Sequence, residues 1–212
     1  RFGGSSGNLD FRVTASTLND DGLDSANEYD HPDDTSSNNI DYRLDYQINN
    51  ENSISYQGGY GVNEQQADRN HADIIPTERT IDNTRFFQFI KWENAINEKN
   101  TLQLQYYYNF SDKEDRYSSG LIPTPPPLDD CILDVNADIK TERHNLELTH
   151  FIYPNENLKF VWGLSAQADY VQSALYLGTD EKIKQNQYRG FANIEWYINR
   201  SNTINVGGLV EK

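Results

Sequence analysis

The segment IDYRLDYQI, residues 40–48, alternates without interruption: Ile40, Tyr42, Leu44, Tyr46 and Ile48 share one parity, and Asp41, Arg43, Asp45 and Gln47 the other. Successive side chains of a β-strand point to opposite faces, so this pattern describes a strand that is apolar on one side and wet on the other. A helical period would scatter the same residues around a cylinder. ISYQGGYGV at 54–62 continues the alternation, with Ile54, Tyr56, Tyr60 and Val62 on one face. LQLQYYYNF at 102–110 aligns Leu102, Leu104, Tyr106, Tyr108 and Phe110. LKFVWGLSAQADY at 158–170 aligns Leu158, Phe160, Trp162, Leu164, Ala166, Ala168 and Tyr170. Near the start, LDFRVTAS sets Leu9, Phe11, Val13 and Ala15 against Asp10, Arg12 and Thr14. FFQFIKWENAI and YRGFANIEWYI carry apolar residues on both faces, which points to partly covered interiors. About nine strands of roughly 10–13 residues are expected, longer than is usual in globular sheets.

The connections alternate as well. INNENSI at 48–54 recurs as INEKNTL at 96–102 and INRSNTI at 198–204, with IYPNENL at 152–158 as a looser variant. Each closes two strands within a few residues. The opposite connections are long, spanning about 20–38, 65–82, 112–141 and 171–185. GGSSGN, near the start, resembles another short turn in the same phase. Asn and Gly are expected in these turns because they tolerate the positive φ of tight hairpins. Only the turn chemistry repeats, so this is not a solenoid.

Composition decides what such a sheet rests against. Hydrophobic residues are 36% of the chain, mean hydropathy is −0.83 and the formal net charge is −15, a combination shared with disordered chains. The 14 Tyr, 9 Phe and 3 Trp argue instead for a half-buried surface. The negative charge speaks against nucleic acid as a partner. The sole cysteine, Cys131, excludes an internal disulfide framework and a cysteine-built metal site. No apolar run is long enough for a transmembrane helix. The chain opens on RFGGSS and stops on GGLVEK, and it reads as a piece of a longer polypeptide. Long alternating strands with short turns at one end and long loops at the other describe an all-β, antiparallel up-and-down transmembrane β-barrel segment. Its apolar face would meet outer-membrane lipid, and its polar face would line a wet lumen. Tyr42, Tyr46, Tyr60, Trp92, Tyr108, Trp162, Tyr170 and Trp196 are expected near strand ends, as aromatic girdles. The alternative architecture is a soluble, secreted β-sandwich binding module.

RFGGSSGNLDFRVTAS, an acidic loop and YRLDYQINNENSISYQGGYG together resemble the early barrel of TonB-dependent outer-membrane receptors, where a strand and turn lead through a loop to an RLD…QG strand. FIKWENAINEKNTLQLQYYYNFSDKED, RHNLELTHFIYPNENLKFVWGLSAQAD and FANIEWYINRSNTINVGGLVEK are similar to later strands of the same barrels. The resemblance implies that residues 1–212 form one partial barrel domain, under half of a barrel of about 22 strands. The plug domain and TonB box of that family are not in the sequence. It further implies the outer membrane of a Gram-negative bacterium and active uptake of a scarce solute: siderophore-iron, a cobalamin or a glycan. The implied partners are a plug in the same full-length protein, the TonB system and the small solute ligand. A passive outer-membrane porin is the alternative with the same strands. On the barrel reading, Arg12, Arg43, Asp45, Lys91, Glu93, Arg189 and Glu195 face the lumen, the wall that contacts the plug in the family.

No enzyme is expected. His31, His71, His144 and His150 are scattered, and no GxSxG, Walker-type or HExxH sequence occurs. The stretch NDDGLDSANEYDHPDD at 19–34 holds seven acidic residues, so Asp20, Asp21 and Asp24 are candidate Ca²⁺ ligands. No other cofactor is implied. The longest loop, 111–142, is stiffened by PTPPP, and Arg116 and Tyr117 within it offer a charged donor and a stacking face to a ligand.

Overall fold

The computed structural model describes residues 1–22, 33–67, 79–122, 124–125 and 129–212. It is a wall of antiparallel strands: β1 (Phe2–Ser6), β2 (Leu9–Asp20), β3 (Thr35–Gln47), β4 (Asn52–Ala67), β5 (Arg79–Asn97), β6 (Asn100–Glu114), β9 (Ile139–Asn155), β10 (Leu158–Ser173), β11 (Thr179–Asn199) and β12 (Asn202–Glu211). Each pairs with its neighbour in chain order. The exception is an excursion between β6 and β9, where β7 (Arg116–Ile122) and β8 (Cys131–Asn136) form a separate hairpin. A four-residue helix, α1 (Ala174–Leu177), caps the β10–β11 connection.

The register turns the sequence alternation into two continuous faces. Leu44, Tyr56, Ile90, Tyr106 and Leu146 are successive cross-strand partners on one face. Asp45, Ser55, Lys91, Gln105, Glu147, Ser165 and Arg189 are successive partners on the other. The apolar face is not covered by a second layer. Leu164 is 56% exposed and Val206 62%, and the one hydrophobic side chain buried among the described residues is Ala137. In water a sandwich would hide such a face, so the apolar surface needs an apolar solvent.

Rings border this surface. Tyr60, Phe86 and Phe110 are consecutive partners toward the long-connection end, while Trp92, Trp162 and Trp196 stand toward the short turns. Tyr42 and Tyr108 lie well inside their strands instead of at the ends. There the Tyr42 hydroxyl donates to the Tyr56 hydroxyl at 2.9 Å.

Among the described residues twelve strands replace the nine expected, and the longest exceed the expected length: β5 has 19 residues and β11 has 21. An apolar band needs only about 9–11 residues of a tilted strand. The remainder continues as wet ladder, where both faces are polar and alternation carries no signal. The expected loop 171–185 therefore shrinks to 174–178. GGSS belongs to β1, and the turn is Gly7–Asn8, with Gly7 at φ 59°.

The INxxN turns hold for a different reason from the one expected. No residue other than glycine has a positive φ among the described residues. The first Asn acts through its side chain. Asn97 Oδ1 accepts the Lys99 amide at 2.9 Å and the Asn100 side-chain amide at 2.9 Å, and Asn199 Oδ1 does the same with Ser201 and Asn202 at 3.0 Å each. Asn49 Oδ1 takes the Glu51 and Asn52 amides, and Asn155 Oδ1 takes that of Asn157. These are Asx turns, which fold the backbone without a left-handed residue. Asn97→Ala is expected to lower stability by about 1 kcal/mol. The neighbouring Glu98→Ala should be neutral, and the two are compared by denaturant midpoint of the intact protein in detergent.

Candidate functional site

The polar face is built from carboxylates and cations spaced along the strands so that they meet. Asp45 receives Arg43 through two bonds, 2.6 and 3.1 Å, and the Ser55 hydroxyl at 2.6 Å. Lys91 reaches Glu93 at 3.4 Å, and Arg189 reaches Glu211 at 2.6 Å. Glu195 lies 3.6 Å from Lys159, and the Tyr197 hydroxyl donates to it. Arg12 stands directly opposite Arg43, and Asp10 opposite Asp45. The carboxylates are bonded along or beside their own strands, Asp45 by Arg43 and Asp10 by the Ser5 hydroxyl. Arg12, Arg43, Asp45, Lys91, Glu93, Arg189 and Glu195 lie on this one face of the sheet. Most of their pairs are half-exposed, so each contributes little to stability, and together they make a hydrated, neutralised lining.

Two rings interrupt this polar lining, Phe87 toward the long-connection end and Phe191 toward the short turns. Phe87 and Phe191 point to the polar face, which explains the double-sided apolar pattern of their segments. Each ring lies over a glycine of the adjacent strand. A Cβ on Gly59 would come within 2.5 Å of the Phe87 ring, and one on Gly163 within 2.5 Å of Phe191. Beside Phe87 a cleft of about 230 Å³ is lined by Asp41, Gly59, Gly61, Arg85 and Asn109. Asn109 also lines a larger cleft of about 410 Å³, with Arg143, Asp169, Val171, Ile183 and Gln185. Arg143 holds Asp169 through two bonds at 2.6 and 3.2 Å, while Arg85 makes no ion pair among the described residues. Sequence reasoning did not single out Arg85, Phe87, Arg143 or Asp169. Their odd-numbered positions on the polar parity were the available signal. The strip offers guanidinium donors, a flat ring and glycine-made room, which suits binding of an anionic solute and supplies no nucleophile–base pair.

At the mouth, Asp115 is the centre of a buried knot. It is 5% exposed, accepts Arg79 Nε at 2.7 Å and lies 3.3 Å from Lys113 Nζ. Its backbone amide donates to Asp138 at 2.8 Å, and its carbonyl accepts the amide of the buried Ala137. Arg116 donates to the same Asp138 at 2.8 Å, and the Arg79 guanidinium stacks 4.3 Å over the Tyr117 ring. Arg116 and Tyr117 thus have partners within the chain, at the base of the β7–β8 hairpin. No local stretch of sequence announces this knot, because it joins residues 36 apart through Arg79 and 23 apart through Asp138.

Of the candidate Ca²⁺ ligands, Asp20 accepts the Gly22 amide at 3.1 Å and, with Asp21 and Asp34, borders a cleft of about 260 Å³. Asp24 lies outside the described residues, as do His31 and His71. Among the described residues no group of three or more His, Cys, Asp or Glu side chains is placed to hold a metal ion.

No family model matches the sequence, and no curated protein matches it. Solved structures match the fold. The ferripyoverdine receptor of the outer membrane of Pseudomonas aeruginosa aligns with a TM-score of 0.68 and 12% identity, over 97% of this chain and 33% of that one. The ferric enterobactin receptor of Pseudomonas aeruginosa aligns with a TM-score of 0.64 and 10% identity, over 97% of this chain and 35% of that one. The copper transporter OprC gives a TM-score of 0.62 and 15% identity, over 96% and 32%. The chain spans about a third of the length of these proteins, and its wall has the fold of their outer-membrane β-barrels.

Proposed function

We propose that these strands are part of the barrel wall of a TonB-dependent receptor in the outer membrane of a Gram-negative bacterium, working in active uptake of a scarce solute. The observation that carries this reading is the uncovered apolar face backed by a neutralised polar one. That pairing fits lipid outside and a hydrated, plug-filled lumen inside. The short Asx turns then face the periplasm and the β7–β8 hairpin stands at the extracellular mouth. Solute enters past that hairpin and rests on the strip of Arg85, Phe87 and Arg143. A plug elsewhere in the full-length protein, drawn by the TonB system, opens the path. The guanidinium of Arg85, which has no ion pair among the described residues, beside the Phe87 ring favours an anionic ferric chelate over a neutral glycan or a cobalamin.

The test is uptake of radiolabelled ferric siderophores by a deletion strain complemented with wild type or with Arg85→Ala/Arg143→Ala. Deletion is expected to abolish uptake of one chelate, and the double variant to raise its half-saturation concentration roughly tenfold. A protonophore should stop uptake. Uptake that continues without a proton gradient identifies a passive porin and ends the receptor reading.

A further inference from the structure

The outward face carries a feature that solute uptake does not use. Above the apolar surface of β9–β11, three lysines gather on a platform of rings. Lys140 Nζ stands 5.0 Å over the Phe110 ring, and Lys182 and Lys184 stand 4.6 and 5.4 Å over Tyr170. His144 packs against both Tyr108 and Tyr170, at 4.8 and 6.0 Å between ring centres, and links these two rings. Two carboxylates bond these ammonium groups from less exposed positions. Glu142 is 19% exposed and bonds Lys182 at 2.8 Å, and Asp112 is 29% exposed and bonds Lys140 at 3.1 Å, whereas both lysines are 43% exposed. Lys184 has no carboxylate partner among the described residues.

Position sharpens the case. In a chain of net charge −15, the same rim on β4–β6 is acidic, with Glu64, Asp82 and Glu114 as successive partners. The lysines are therefore a local departure from the trend. Further along the same face, beyond His144 and Ala168, lie Leu146 and Leu164, 47% and 56% exposed. Cationic heads above rings, at the upper margin of an apolar wall, sit where lipid phosphates sit.

We infer that Lys140, Lys182 and Lys184, with the rings of Phe110 and Tyr170, bind the phosphate-bearing headgroup of an outer-leaflet lipid whose acyl chains run down over Leu146 and Leu164. This rests on the membrane-wall reading. The ammonium groups supply charge, and the ring faces suit the sugar of a phosphorylated glycolipid.

The test is native mass spectrometry of the intact, delipidated protein in detergent, titrated with diphosphoryl lipid A. The Lys140→Gln/Lys182→Gln/Lys184→Gln variant is expected to retain the lipid roughly 10- to 100-fold more weakly. A Lys99→Gln/Lys159→Gln control, which removes lysines elsewhere, should stay within about twofold. Retention should persist in EDTA and in millimolar inorganic phosphate. Equal retention by wild type and the triple variant overturns the proposal. So does loss in EDTA, which indicates carboxylates bridged by divalent cations, or competition by free phosphate, which indicates an ion site and not a lipid site. Where the triple variant fails to show the heat-modifiable band of a folded barrel, Lys184→Gln alone carries the test, with an expected weakening of roughly fivefold. A protein that stays soluble without detergent refutes the membrane wall itself, so the two failures are distinguishable.

Discussion

Leu164→Arg is expected to destabilise the intact protein in a bilayer by about 2–4 kcal/mol, while Ser165→Arg, one residue along, costs less than about 1 kcal/mol. Leu164 lies midway along the apolar face of β10, 56% exposed, with Leu148 and Gly190 as cross-strand partners. Ser165 faces the other way, between Glu147 and Arg189. A guanidinium at Leu164 would have to be desolvated in hydrocarbon or dragged to an interface. At Ser165 it enters a hydrated lining beside a carboxylate. Denaturant unfolding in lipid vesicles, read by loss of the heat-modifiable form, gives the two midpoints. On a water-soluble protein the same exposed leucine would accept arginine without cost, so equal midpoints sink the assignment of faces.

Asp115→Asn is expected to release the β7–β8 hairpin, weakening its docking by about 3 kcal/mol, because it leaves a buried guanidinium without its counter-charge. The Arg79 and Asp115 side chains are only 13% and 7% exposed, so water screens little of the loss. Limited proteolysis or hydrogen exchange across residues 116–136 should report a protected hairpin in the wild type and an open one in the variant. The same hairpin has a pH dependence of known sign. Burial alone pushes the Asp115 carboxyl up, but Arg79 and Lys113 outweigh it and hold it below its ordinary value of 3.8. A carboxyl depressed in the folded state contributes its full stability above that ordinary value and loses it as pH falls through the lower folded one. Protection should therefore be flat from neutral pH down to about 5 and fall only in stronger acid. Loosening at pH 6 would contradict the assigned partners.

Why some of this was readable and some not is visible residue by residue. IDYRLDYQI announces its two faces because lipid and lumen impose opposite demands on adjacent residues. Over Thr179–Gln187 of β11 nearly every residue is polar, so the alternation fades and the expected loop extends to 185. Phe87 broke the alternation, and only the register that sets it over Gly59 explains it. The Asn of each short turn was legible as a turn residue, but its role lies in the side-chain oxygen and not in a left-handed backbone. The Asp115 knot and the lysine platform join residues from separate strands, and no local window contains them.

The Asx turns also set where such a wall can change over generations. Each side-chain cap spans a fixed two or three residues, so one inserted residue would break the cap or be absorbed as a bulge, and within a strand it would exchange every lipid-facing side chain beyond it for a lumen-facing one. At the opposite rim the described connection between β10 and β11 is α1, whose N-terminus carries no side-chain cap. Length there can drift one residue at a time without disturbing the wall. Innovation is thereby channelled to the rim of long connections, while the rim of Asx turns stays a ruler.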